Sequence, residues 1–272
     1  MLPGTGARKE KNVDIVVLLK QVPATESLIQ VADDGVSIKT EELKWVINPY
    51  DEFAVEEALR IREAQGGSVT VLSVGTDKAV EAIRTALAMG ADTGVLVNDP
   101  AALGKGALAT ARVLAAALQQ ISFDLVIAGQ RAVDADQFQV GPAVAEYLQI
   151  PNVSMVIKTE LLDGSIRCHR TIEGGTVVVE SPLPMLFTTQ RGLNEPRYAS
   201  LPGIMKAKKK PLETKTLADF GLDAGAIEGP TARIRILSPP AERGGGRIIE
   251  GESAAEKAAA LVKALHEEAK VI

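Results

Sequence analysis

Residues 68–90 read SVTVLSVGTDKAVEAIRTALAMG, with a strand, a turn and a helix in immediate succession. Val69, Val71, Leu72 and Val74 make residues 68–74 an apolar strand. Gly75, Thr76 and Asp77 turn the chain, residues 78–89 form a helix, and Gly90 closes it. Strand, turn and helix in so short a span are one half of a parallel crossover unit. The same order runs outward in both directions. Upstream, Ile15, Val16, Val17, Leu18 and Leu19 form a buried strand over 14–19. Lys20, Gln21, Val22 and Pro23 end it, because proline cannot continue a ladder. Asp33, Asp34 and Gly35 mark a turn inside a hairpin over 29–38. Asn48, Pro49, Tyr50 and Asp51 open a helix with Phe53, Ala54, Ala58, Leu59 and Ile61 at helical spacing, and Gly66 and Gly67 stop it.

Downstream come a strand at 94–97, an alanine-rich helix at 103–119, a strand at 124–128, and a helix at 142–148. The alternation predicts an α/β fold: a doubly wound, mostly parallel sheet with helices on both faces. Ligands bind such sheets at the carboxyl ends of the strands. Residues 19–22, 74–76 and 129–141 lie there. After Pro151 the pattern becomes an antiparallel extension, with strands at 154–158, 166–171 and 176–180 and turns at Gly164 and at Gly174 and Gly175. A further strand follows at 185–189. Residues 190–211 are polar, basic and rich in breakers, a long exposed segment. A short helix at 217–222, a linker at 239–246 and a terminal helix at 254–269 complete a C-terminal arm. The expected division is a flexible tail at 1–12, a nucleotide-binding domain at 13–192, a docking segment at 193–215 and an arm at 216–272.

The net charge of −5 and the 3% aromatic content argue against a nucleic-acid binder. A single cysteine, Cys168, excludes an intrachain disulfide and a multi-cysteine metal site. Apolar runs are strand-sized, so no direct membrane insertion is expected, and residues 1–12 lack the apolar stretch of a secretory signal. Gly4, Thr5 and Gly6 follow no strand and are not a phosphate loop. Gly104, Lys105 and Gly106 read as a helix-entry turn. Cys168 and His169 are strand neighbours facing opposite sides, so they cannot form a nucleophilic pair. His266 reads as solvated.

The loop at 129–140, GQRAVDADQFQV, carries the main chemical signal. Gly129 offers unusual backbone freedom at a strand end. Backbone N–H groups between Ala132 and Val140 can point at a phosphate, aided by the helix near Pro142. Asp134 and Asp136 repel phosphate but can accept backbone N–H bonds or a ribose hydroxyl. The plain alternative is a polar loop with a helix cap. The segment at 193–210, LNEPRYASLPGIMKAKKK, sets Leu201, Pro202, Ile204 and Met205 beside Lys206, Lys208, Lys209 and Lys210. Exposed apolar residues on a basic rim suggest a partner surface steered toward an acidic face. The plain alternative is a linker packed on its own domain.

These two stretches, with IRTALAMGAD at 83–92 and RTIEGG at 170–175, resemble the beta subunit of electron-transferring flavoproteins from Asp14 to the end. The resemblance implies an adenine-nucleotide alpha-hydrolase-like fold and a cytoplasmic heterodimer with an alpha subunit that holds FAD near the interface. It implies AMP or a second FAD in this chain. Electrons would pass from an acyl-CoA dehydrogenase to a membrane quinone oxidoreductase. It places Leu18, Asn48, Pro49, Tyr50, Asp51 and Val74 at the nucleotide, with Gly129, Gln130, Arg131, Ala132, Val133, Asp134, Ala135, Asp136, Gln137, Phe138, Gln139 and Val140. The bland readings stay open: Asn48 as a helix cap, Val74 as core, Tyr50 as a solvent-facing helix starter. Leu201 would anchor the dehydrogenase. Where AMP-type relatives carry threonine, this chain has Val140 before Gly141 and Pro142, and Lys20 to Pro23 resembles bifurcating relatives. Residues 193–210 resemble the AMP-type branch, so AMP is favoured and a second FAD with an NADH site is the alternative. Thr171 stands where many relatives place a glutamate near the flavin, so that role is not carried over; Arg191 is a candidate to reach it. A rival outside the family is a stand-alone adenine-nucleotide-binding stress-type protein, which would not need residues 190–210.

Overall fold

The computed structural model describes residues 12–227, 236–238 and 245–272. The tail expected at 1–12 falls outside them except for Asn12, as does the linker at 239–246 except for Gly245 and Gly246. The chain forms two compact units, Met1–Ile29 with Lys39–Ile234, and Gln30–Ile38 with Arg235–Ile272.

In the first unit the strands are β1 (Ile15–Leu18), β2 (Gln21–Pro23), β3 (Trp45–Ile47), β4 (Val69–Val74), β5 (Thr93–Val97), β6 (Leu125–Gly129), β7 (Asn152–Leu161), β8 (Ser165–Ile172), β9 (Gly175–Pro182), β10 (Met185–Thr189) and β11 (Leu212–Lys215). The helices are α1 (Pro49–Gln65), α2 (Ala79–Met89), α3 (Ala107–Leu118), α4 (Val140–Leu148) and α5 (Leu201–Ala207). Nine strands form one sheet in the order β11-β5-β4-β1-β6-β10-β7-β8-β9. Every pairing from β11 to β7 is parallel, and β8 and β9 add the antiparallel edge. Side chains alternate along each strand, so β1 feeds two cores. Ile15 and Val17 pack with Leu59 of α1 and Ile83 of α2. Val16 and Leu18 pack with Val113 of α3 and Val144 of α4. The sheet is doubly wound, as its apolar runs predict.

Four local readings differ. The alanine-rich helix begins at Ala107, not 103, because Gly104 (φ 68°) and Gly106 (φ 85°) hold left-handed conformations that break it. The first strand ends at Leu18 as read, but the segment after it pairs again: β2 runs antiparallel to β3, with Pro23 opposite Trp45 at the end of that small ladder. Residues 190–211 contain α5, capped by the Ser200 side chain on Gly203 N–H with Pro202 in its first turn. Residues 212–215, expected in the docking segment, form β11 on the sheet edge beside β5.

In the second unit, Val31 bridges Ile38 around a turn in which the Asp34 carboxylate accepts from Val36 N, Ser37 N and Ser37 Oγ. The terminal segment is helix α6 (Ala254–Lys263), running on through one π-turn at Ala264–Ala269.

Candidate functional site: a cavity at the strand ends and a pinned strap

The carboxyl ends of β1, β4 and β6 open into a cavity of about 500 Å³. Two residues at the start of α1 tie its walls together. Asn48 sits at the helix N-terminus but caps nothing; its Nδ2 donates to Arg131 O (2.8 Å), and its Oδ1 accepts from Val133 N (3.1 Å). The cap reading is thereby set aside: a buried amide holds the 130–133 backbone from across the sheet. Asp51 is buried, and its two oxygens accept from Lys20 N (2.7 Å) and Gly129 N (3.0 Å). Burial pushes its carboxyl up to about 7, against those two N–H bonds, which favour the charged form.

Gly129 is needed for closeness rather than for a positive φ. A Cβ there would lie 2.3 Å from Asp51 Oδ1 and 2.8 Å from Tyr50 Cβ. The loop beyond it carries two non-glycine residues in the left-handed region, Asp136 (φ 54°) and Phe138 (φ 57°). Such strain is held only where the surroundings over-determine it, and it concentrates at binding sites. Asp134 and Asp136 do not accept backbone N–H bonds: Asp134 pairs with Lys20 Nζ (2.6 Å), and Asp136 with Arg131. The Arg131 guanidinium lies between the rings of Tyr50 and Phe138, 5.1 Å from each, and also donates to the Tyr50 hydroxyl. The loop ends at α4, whose first turn has no side-chain cap. Val140 and Gly141, the first two residues of that turn, line the cavity with their N–H groups outside the helix ladder, and Pro142 after them has no N–H.

All the residues expected at the nucleotide line this cavity except Pro49, Tyr50, Val133 and Asp136. Pro49, Tyr50 and Val133 instead line a second cavity of about 510 Å³ with Arg191 and Tyr198, so residues 48–51 and 130–134 form a wall between the two. Asp136 lines neither. Lys20 and Gln21, within the segment expected at the strand ends, also line this cavity; sequence reading missed Trp45, Gly104 and Gly106 on its wall. Gly104 and Gly106 carried a glycine signal, dismissed because no strand immediately precedes them. The Gln130 Oε1 acceptor and the Trp45 Nε1 donor are buried in that wall without a partner.

The segment at 193–210 is pinned, not loose. Arg197 forks onto Glu56 (Nε to Oε2 2.8 Å, Nη2 to Oε1 3.1 Å) and reaches Glu63 (2.5 Å). Asn194 Nδ2 donates to Phe53 O and Glu57 Oε2, both at 3.0 Å. At the other end Arg84 donates to Ala207 O (2.6 Å) and Lys210 O (2.7 Å). Between the pins, Tyr198, Leu201, Ile204 and Met205 are exposed, Leu201 at 80%. Pro202, Lys206, Lys208 and Lys209 are also exposed. Lys210 is not part of that rim. It is half-buried, with Nζ donating to the carbonyls of Leu87, Gly90 and Ala91 at the end of α2, where a helix C-terminus attracts a cation.

Cys168 is buried in β8, where burial pushes its thiol up to about 12. It has no partner for nucleophilic chemistry. Among the described residues no group of His, Cys, Asp and Glu is placed to hold a metal, and no helix is long and apolar enough to cross a membrane.

The electron transfer flavoprotein domain model matches residues 36–220. The electron transfer flavoprotein subunit beta of Bacillus subtilis is 41% identical over 96% of this chain and all of its own length. This chain belongs to the electron transfer flavoprotein beta-subunit family. The beta subunit of Bradyrhizobium diazoefficiens is 38% identical over 95% of this chain and 99% of its own. The caffeyl-CoA reductase-Etf complex subunit CarD of Acetobacterium woodii is 39% identical over 93% of this chain and 98% of its own. As an electron transfer flavoprotein beta subunit, the chain is an electron-transfer protein whose family implies an alpha-subunit partner and flavin.

Proposed function

We propose that this beta subunit binds AMP in the 500 Å³ cavity and pairs with an FAD-bearing alpha subunit in the cytoplasm. In this reading the complex takes electrons from an acyl-CoA dehydrogenase and passes them toward a membrane quinone oxidoreductase. The observation that carries the nucleotide reading is the strained loop at 131–139 running into the uncapped first turn of α4 beside that cavity. The N–H groups of Val140 and Gly141, with the positive end of the helix, can receive phosphate oxygens. The unpartnered Gln130 acceptor and Trp45 donor fit a ligand with a polar heteroaromatic edge, and Leu18 and Val74 supply apolar wall. Bound flavin supplies the redox chemistry; the chain binds and orients.

Docking is read on Leu201, Pro202, Ile204 and Met205, with Lys206, Lys208 and Lys209 as the basic rim. A second reading is a bifurcating-type subunit with a second FAD and an NADH site. Phe138 and Val140 favour it, since neither side chain offers the loop a hydrogen bond to phosphate, and the name of the relative from Acetobacterium points to a reductase complex. Purifying the heterodimer, denaturing it and identifying the released nucleotides tests both. One FAD and one AMP per heterodimer is the expected result. Two FAD would establish the second reading, and one FAD with no other nucleotide would overturn the assignment of this cavity.

A further inference from the structure

We infer that Arg197 is a positioning residue: by pinning the 193–210 strap to α1, it fixes the presentation of Leu201 to the partner dehydrogenase. The inference rests on the docking reading above.

Three observations carry it. The first is the quality of the pin. Glu56 is buried at 3% exposure, on the face of α1 that the strap covers. Burial alone would raise its carboxyl, but the bonds from Arg197, then Arg60, hold it below its ordinary value. Arg197 in turn is raised by Glu63 and Glu56. A planar fork that meets two carboxylates at once has one geometry, whereas a lysine ammonium could satisfy them from many. The Arg197 backbone N–H also donates to Glu56 Oε2 at 3.2 Å, so main chain and side chain are held by the same carboxylate.

The second is what lies between the pins. From Arg197 to Leu201 the strap has only Tyr198, Ala199 and Ser200, and Ser200 caps the helix that Leu201 begins. The far end is fixed by Arg84 and by Gly203, where a Cβ would lie 2.4 Å from Ala88 O, so α5 rests on the α2 backbone. With both ends set, Tyr198, Leu201 and Met205 are held out from a base that cannot slide.

The third is that the strap needs such a pin. Ala207 is the one residue of α5 that is buried, so the helix contributes little apolar area of its own to hold it down. A seven-residue helix is marginal unless something outside it fixes the ends. Ion pairs with one buried carboxylate supply register in place of a core.

The test uses the intact heterodimer, with medium-chain acyl-CoA dehydrogenase reduced by octanoyl-CoA as the electron donor and dye-driven flavin reduction as the control. Arg197→Gln, Arg197→Lys, Leu201→Ala and the Arg197→Gln/Leu201→Ala double variant are compared. Arg197→Gln is expected to raise the apparent KM for the dehydrogenase about tenfold while dye-driven reduction stays within about twofold. Arg197→Lys does not rescue it. In the Leu201→Ala background, Arg197→Gln adds less than about twofold, because a pin that acts through Leu201 has nothing left to present. Trypsin should also nick the Arg197→Gln strap at Lys206, Lys208 and Lys209 faster than the parent. If Arg197→Gln leaves KM unchanged while Leu201→Ala raises it, the pin is wrong and docking stands. If Leu201→Ala leaves KM unchanged, docking falls and the pin with it. Full additivity, or an equal loss in the dye assay, reduces Arg197 to a stability role and overturns the inference. Should Arg197→Gln not fold, Glu63→Gln removes only the half-exposed carboxylate and should shift KM the same way by a smaller factor.

Discussion

Replacing Gly129 with alanine adds one methyl group to the wall of the cavity at the strand ends, against the first turn of α1. The new carbon would stand 2.3 Å from Asp51 Oδ1, 2.8 Å from Tyr50 Cβ and 2.9 Å from the Tyr50 carbonyl carbon. Ordinary contact needs about 3.4 Å or more, so the first turn of α1 must retreat by about 1 Å. Two contacts weaken together: overpacking of this kind costs ~1–3 kcal/mol. The Gly129 N bond to the Asp51 carboxyl, 3.0 Å long, is stretched or lost, and a buried hydrogen bond is worth ~0.5–1.5 kcal/mol. Taking the two as partly the same strain, the expected loss is about 3 kcal/mol, or a Tm about 6–12 °C lower for a domain of this size. Because Asp51 also holds Lys20 N, the retreat pulls Lys20 away from Asp134 and opens the cavity, so nucleotide content of the heterodimer should fall as well. Calorimetry of the heterodimer and quantification of released nucleotide are the assays. A Gly129→Ala protein within about 1 °C of the parent, with nucleotide undiminished, would refute the close-approach reasoning. Gly104→Ala is the matched comparison: its φ is 68° but nothing lies within 4 Å, so backbone strain alone should cost only about 1 kcal/mol.

Asn48→Ala removes both bonds to the 131–133 backbone, which should destabilise by about 2 kcal/mol and lower nucleotide occupancy; a simple helix cap would leave occupancy alone. Asp51 has a folded pKa of about 7 against an ordinary 3.8, so the folded state holds its proton more tightly. Its contribution to stability is therefore full below about pH 4 and is lost as pH rises through about 7, at up to ~1.4 kcal/mol per pH unit. Urea unfolding of Asp51→Asn across that window should show a flatter pH dependence than the parent, and an identical slope would show that Asp51 does not titrate there. Lys210→Met strips the α2 carbonyls of their cation and should cost about 1–2 kcal/mol of stability with no change in the salt dependence of dehydrogenase association. Alanine at Lys206, Lys208 and Lys209 should do the reverse, slowing association at low salt while leaving Tm within about 1 °C.

The doubly wound sheet was legible because its central strands are unbroken apolar runs: Ile15 to Leu18 are buried on both faces, and such runs admit few other readings. What escaped depended on partners far away in sequence. Leu212 to Lys215 read as the end of the exposed docking segment, since an edge strand needs little apolar pattern when its ladder with β5 fixes it. Helix α5 was hidden by Pro202 and Gly203, which read as breakers; one sits in the first turn and the other lets the helix touch Ala88. At the cavity the loop at 129–140 was singled out by its glycine, its neighbouring helix and above all its family resemblance, and most of it does line the cavity. Its inner order was not legible, because nothing local says that Asp134 pairs with Lys20 or that Asn48 reaches Arg131. Lys210 looked like its three lysine neighbours, and only the position of the α2 carbonyls distinguishes it.

The place of β10 has a consequence for how the chain acquires its shape. All five of its residues are buried, and it lies between β6 and β7, with Met185 opposite Leu125 and Phe187 opposite both Ile127 and Val153. The parallel half of the sheet and the meander of β7, β8 and β9 share no other strand. A nascent chain that has passed residue 182 can already pair β7, β8 and β9 with each other, yet it has nothing with which to join them to β6. Joining waits for five residues made later than all the strands they connect. Until then the edges of β6 and β7 that β10 will close are on offer to any other chain, and sequence-distant closure of this kind is slow. Substitutions at Met185 or Phe187 should therefore lower the yield of folded protein at high synthesis rates more than their effect on the finished molecule would suggest.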